Sequence, residues 1–101
     1  MSRFEEIRPD PLGQVFSALA DPSRRHVLDA ISERGSVTAT ELSGELPMTR
    51  QAVAKHLATL ADAGLVEPLR QGRETRYHLT SMGTEWDERL ESLARHLRRR
   101  A

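Results

Sequence analysis

Cysteine is absent from the 101 residues, and its absence excludes disulfides, thiolate metal sites and cysteine nucleophiles together. No apolar run is long enough to span a bilayer, and the first residues do not read as a secretory leader, so the sequence predicts a cytoplasmic protein without a membrane partner. There is no Ser, His and Asp constellation, no glycine-rich phosphate loop and no set of paired metal ligands. A chain this short also has little room for an enclosed pocket beside its core. An enzyme is therefore not expected, and no cofactor is implied. Ser23, beside Arg24 and Arg25, reads as a first-turn helix position rather than a nucleophile.

Charge of one sign is missing too: 15 Lys and Arg balance 15 Asp and Glu. The balance hides a polarity. Residues 1–49 hold five Arg against eight acids, and residues 50–101 hold ten Lys or Arg against seven, so the halves stand at −3 and +3. That distribution fits one basic surface on a neutral chain. The length supports one small domain with a thin core, to which a partner subunit could add.

The organising stretch is MTRQAVAKHLATLADAG, Met48 to Gly64. Val53, Leu57 and Leu60 stand at i, i+4 and i+7, one face of a helix. Thr49 can cap its start, and Gly64 suits a left-handed stop. The other face offers Arg50, Gln51, Ala54, Lys55 and Ala58, cationic and hydrogen-bonding groups set among methyls. A major groove of DNA takes such a face, although an ordinary amphipathic helix with a solvated side has the same periodicity.

The neighbouring segments separate these readings. Residues 1–9 form an N-terminal arm, followed by one domain over residues 10–101. Asp10 with Pro11 and Asp21 with Pro22 are start signals for two helices, the first carrying Leu12, Val15, Phe16 and Leu19, the second Val27, Leu28 and Ile31 up to Gly35. Thr38 and Glu41 make a capping box for a third, short helix from Ala39 to about Leu46. Pro47 stops it and Thr49 opens the next, a tight joint that marks a helix-turn-helix over residues 38–64.

From 65 to 79 the period changes to alternation around Gln71 and Gly72, which predicts a hairpin. Its first strand contains Pro68 and must lie at an edge or start late. Arg70, Arg73 and Arg76 cluster near the tip, as in a basic wing, although charged side chains also protect any exposed edge strand. Thr80 then caps a terminal helix over residues 81–100, with Met82, Trp86, Leu90, Leu93 and Leu97 in one stripe. That stripe and the stripe of the first helix predict a symmetric homodimer suited to a two-fold operator. The alternative is packing of the two stripes within one subunit.

The segments FSALADPSRRHVLDAI, TATELSGELPMTRQAVAKHLATLADAGLV and RQGRETRYHLT resemble the ArsR (arsenical-repressor-like) family of winged helix-turn-helix regulators, over about Leu12 to Thr80. The resemblance implies a mainly α fold with a small β-hairpin, in the order α-α-α-α-β-β-α, and a homodimeric repressor of double-stranded DNA joined through its first and last helices. It implies groove contacts from Thr49, Arg50, Gln51, Ala54, Lys55 and His56, and wing contacts from Arg73 and Arg76. Many members sense metals or arsenicals, and here the pattern departs. TATELSGEL has no thiolate, and His26, His56, His78 and His96 lie on four different elements, so the chain is similar to the metal-independent branch. A metal-sensing repressor of the same family and a winged-helix protein-interaction module are the competing readings; nothing in the sequence names an inducer.

Overall fold

Two Asp-Pro pairs start the first two helices of the computed structural model, which describes residues 10–100; the arm expected over residues 1–9 lies outside the described residues. The Asp10 carboxylate accepts from the Leu12 N–H at 3.2 Å and Asp21 from the Ser23 N–H at 2.8 Å, with Pro11 and Pro22 at first helical positions where no N–H is needed. These helices are α1 (Pro11–Ala20) and α2 (Pro22–Arg34). The end of α1 has no glycine stop. Its last carbonyls are met from the next helix instead: Arg24 Nε donates to the Ala18 carbonyl at 2.7 Å and Arg25 Nη1 to that of Leu19 at 2.6 Å. The arginines of the first turn of α2 thus satisfy orphan acceptors of α1 and hold the bend at Asp21.

After Gly35, which takes φ +83° as the α2 stop, come β1 (Val37–Thr38), α3 (Ala39–Glu45), α4 (Arg50–Asp62), β2 (Val66–Gln71), β3 (Glu74–Leu79) and α5 (Ser81–Arg100). The capping box forms as expected: the Glu41 N–H donates to Thr38 Oγ1 at 3.1 Å and the Thr38 N–H to Glu41 Oε1 at 2.9 Å. The strand β1 was not expected. Its two residues pair antiparallel with β3, Val37 opposite Tyr77 and Thr38 opposite Arg76, so the hairpin is part of a three-stranded sheet ordered β1-β3-β2. Pro68 stands in the edge strand β2, where its missing N–H breaks no ladder. No helix of the described residues is long and apolar enough to cross a membrane.

The core belongs to the helix-turn-helix and what lies against it. Val27, Leu28, Ile31, Val37, Leu42, Val53, Leu57, Leu60 and Leu65 are all 0% exposed, each contributing roughly 1.5–3 kcal/mol of apolar burial. The expectation for α1 needs correcting here. Val15 and Leu19, assigned to a dimer surface, are 3% and 6% exposed and belong to the chain's own core, because α1 packs on α2 and α4. Leu12 and Phe16, on the same helix, stay 53% exposed.

The helix α4 ends in a Schellman arrangement: the Gly64 N–H donates to the Ala61 carbonyl at 3.0 Å and that of Leu65 to Leu60 at 2.9 Å, with Gly64 at φ +81°. The start of α5 closes on this corner. Thr80 Oγ1 donates to the Gly64 carbonyl at 2.6 Å and accepts from the Gly83 N–H at 3.0 Å, while the Thr80 N–H donates to the Leu65 carbonyl at 3.1 Å. Gly83 lies so close that a Cβ there would sit 1.9 Å from the Leu65 carbonyl oxygen. Further along, Asp87 is 8% exposed against α2. Burial pushes its carboxyl above the ordinary aspartate range; the Ser32 hydroxyl opposes this, and Asp29, Glu91 and Glu88 add to it.

Two predictions follow from this packing. Gly83→Ala forces a methyl group into backbone, so α5 must lift from the corner; we expect a loss of roughly 1–3 kcal/mol, read as a fall in Tm of about 4–8 °C per kcal/mol for a domain of this size. An unchanged Tm would show that the approach is not tight. The fold disfavours ionised Asp87, so stability falls as pH rises from the ordinary aspartate range through the raised native value, and the deficit persists above it. Asp87→Asn should therefore melt higher than wild type at pH 7, with the gap closing in acid; a gap independent of pH contradicts the titration.

Candidate nucleic-acid interface

The helix α4 is held by one face and free on the other. With Val53, Leu57 and Leu60 buried beneath it, Arg50, Gln51, Ala54, Lys55 and Ala58 are all exposed, the division that their spacing dictates. Thr49 is exposed at the start, its Oγ1 accepting from the Ala52 N–H at 3.1 Å. Its oxygen is engaged as a cap and its hydroxyl proton remains free to donate. His56 is placed differently from its neighbours. It is half-buried, and its Nδ1 is out of solvent without a partner among the described residues. The Ser23 N–H, opposed by burial and aided by Arg24 and His56, keeps the Asp21 carboxyl below its ordinary value. His56 therefore does not lie on the exposed face to which it was assigned.

The wing turns on Gly72 and Arg73, the two residues between paired Gln71 and Glu74. Gly72 has φ +60° and Arg73 does not share it, the pattern of a type II′ hairpin turn. Arg73 projects exposed from this tip, and Arg70 is exposed in β2, its Nε donating to the Gly72 carbonyl at 3.1 Å. Arg76 does not behave as a wing-tip cation. Only 23% of its side chain is exposed, and its guanidinium is bonded to Ser36, Glu41 and Glu74 within the chain. Its register opposite Thr38 in β1 turns it toward the start of α3. Arg70, counted at the tip but not among the contact residues, is exposed and bonds only to the turn's own backbone among the described residues.

Between α3, α4 and the wing runs a cleft of about 510 Å³. Thr38 to Glu41 form one wall, Arg50 stands at the start of α4, and Arg73 to Thr75 with Tyr77 form the other. The start of α4 and the hairpin tip thus border one open groove with an arginine on each side. Among the described residues no three His, Asp or Glu side chains are grouped to hold a metal ion. His78 lies 3.5 Å from Glu67 across the hairpin, and His26 stands with Asp29, Asp87 and Glu91 beside α5.

Known proteins share this arrangement. A family described as a helix-turn-helix domain matches residues 19–68. The uncharacterized HTH-type transcriptional regulator YuzN of Bacillus subtilis is 48% identical over 65 residues, covering 58% of this chain and 71% of YuzN. Among solved structures, an ArsR-like transcriptional regulator from Rhodococcus sp. RHA1 superposes with a TM-score of 0.69 at 38% identity, covering 89% of this chain and 85% of that one. The chain belongs to the ArsR family of helix-turn-helix transcriptional regulators. The arsenic resistance transcriptional regulator ArsR1 of Pseudomonas putida is 31% identical over 83 residues, 82% of this chain and 63% of ArsR1, so the chain spans a little under two thirds of that relative. Membership makes this ArsR-family chain a DNA-binding transcriptional regulator and not an enzyme, and its five helices with a small antiparallel sheet are the winged fold that the sequence implied.

Proposed function

We propose that the chain is a cytoplasmic, homodimeric repressor of the metal-independent kind that binds a two-fold operator, with α4 in the major groove and the wing tip at the flanking minor groove. The observation that carries this reading is the exposed face of Arg50, Gln51, Ala54 and Lys55 on α4, whose first residue, Arg50, borders the same cleft as Arg73. Gln51 can pair bidentately with adenine and Arg50 with guanine, and the small Ala54 and Ala58 allow close approach. Lys55, Arg70 and Arg73 supply the phosphate attraction. Thr49 sits where its hydroxyl can donate to a backbone phosphate. The absence of cysteine from the α3 stretch supports a regulator without the family's thiolate site.

Support for the homodimer comes from apolar side chains left uncovered. Leu12 and Phe16 of α1 and Leu93 and Leu97 of α5 are each about half exposed, at 53–54%. Phe16 packs edge-on against Trp86 with ring centroids 5.5 Å apart, which joins the two helices into one surface. Met82, Trp86 and Leu90 border the core at its margin. A chain that leaves so much apolar surface on two adjoining helices gains by burying it against a copy.

The DNA reading is tested by fluorescence anisotropy with duplexes from the region upstream of the gene and with unrelated duplexes, over a salt series. Wild type should prefer a subset of these sites, and Arg73→Ala should weaken all of them several-fold, lowering the slope of log K against log salt by about 1. Unchanged affinity and slope would remove the wing tip from the interface. For the dimer, Leu93→Glu should shift sedimentation from twice the chain mass to the chain mass while leaving the circular dichroism helical; a variant that remains dimeric locates the subunit contact elsewhere.

A further inference from the structure

Arg76 is the wing arginine that the chain uses internally, and the way it does so bears on the open groove. Its Nε donates to Ser36 Oγ at 3.1 Å, and one terminal nitrogen donates both to the Ser36 carbonyl at 3.1 Å and to Glu41 Oε1 at 3.1 Å. The other terminal nitrogen reaches Glu74 Oε2 at 3.5 Å. One guanidinium thus joins the central strand β3 to the residue before β1, to the capping glutamate of α3 and to the strand end beside the turn. The same Glu41 oxygen accepts from the Thr38 N–H. This hydrogen bond, opposed by burial and aided by the charges of Arg76 and Arg34, holds the Glu41 carboxyl below its ordinary value.

The place of this network matters as much as its contents. Glu41 and Glu74 both line the cleft between α3 and the wing, on whose walls Arg50 and Arg73 stand. Two free carboxylates there would lie within a Debye length of any phosphate gripped by those arginines. Arg76 holds both carboxylates against itself. Its planar fork spans several acceptors at fixed angles, which a lysine ammonium on a flexible stem does not reproduce.

We propose that Arg76 is a positioning residue for DNA binding: it contacts no phosphate, and by tying β3 to Ser36 and Glu41 it fixes the wing relative to α3 and α4 so that Arg73 and the reading face engage one duplex together. The proposal rests on the DNA-binding reading of that face. It separates two arginines three positions apart in one hairpin, Arg73 acting by its charge and Arg76 by its geometry.

Charge-conserving variants of the full chain test it. Each is compared at a temperature where circular dichroism shows it folded, with the duplexes and salt series used for wild type. A phosphate contact tolerates lysine, so Arg73→Lys should stay within about twofold of wild type. Arg76→Lys, charged but unable to span the acceptors, should bind roughly tenfold more weakly, close to Arg76→Gln, as loss of a coupled polar network allows. Without DNA, both Arg76 variants should exchange the amides of the Val37–Tyr77 and Thr38–Arg76 pairings faster than wild type. The proposal is overturned if Arg76→Lys binds like wild type while Arg76→Gln lowers the salt slope by about 1, since that is the behaviour of a phosphate contact. Unaltered amide exchange overturns the tie itself. If wild type binds no duplex, the DNA reading fails and this role with it; if wild type binds and the lysine variants do not differ, this role alone fails.

Discussion

The corner at Gly64 and Leu65 is the contact on which the rest of the arrangement depends. There α4 ends, β2 begins and α5 arrives, and each uses the same short piece of backbone. Gly64 supplies the left-handed turn, its carbonyl accepts from the Thr80 hydroxyl, and the Leu65 carbonyl accepts from the Thr80 N–H with Gly83 packed against it. Leu65 itself is 0% exposed, so the corner is pinned by burial as well as by hydrogen bonds. The helix α4, the hairpin and α5 hold fixed relations because they share this joint.

A second constraint is how the arginines are divided. Arg24 and Arg25 close the end of α1, Arg34 pairs with Glu45 to link α2 and α3, and Arg76 ties the sheet to α3. These serve the fold. Arg50, Arg70 and Arg73 are left exposed, the first and last of them on one cleft. A chain of zero net charge can therefore still expose cations on α4 and the wing, because internal pairing withdraws carboxylates and guanidinia alike from the surface and leaves the remainder unevenly placed.

Most of the helical frame was legible in the sequence because its signals are local. A side chain that caps its own helix, as Asp10, Asp21, Thr38 and Thr49 do, is read from a few adjacent residues, and so is the buried stripe of α4. What was not legible depends on partners distant in the chain. Val37 and Thr38 are a strand only because β3 lies beside them. Arg76 and Arg70 look alike in a hairpin until register sets Arg76 opposite Thr38, within reach of Ser36. Val15 and Phe16 are neighbours in one apolar stripe, and only the position of α1 over α2 and α4 decides that the first is core and the second is surface. His56 was placed with the groove contacts for the same reason: its burial comes from packing around α4 and not from its own helix.

The two faces of α5 bring these constraints together. Gly83 and Asp87 turn inward, the first against Leu65 and the second against α2, while Leu93 and Leu97 on the last turns remain half exposed. An ionisable group buried on the inward face makes that contact weaker than an apolar one would be, whereas the first turn is fixed by Thr80 to the residues that end α4. The helix is therefore held firmly where it meets the residues that end α4 and less firmly along its length. Between its exposed leucines and the C-terminus of α4 there is one continuous helix and one hydrogen-bonded corner, so whatever covers those leucines acts on an element hydrogen-bonded directly to the residues that end α4.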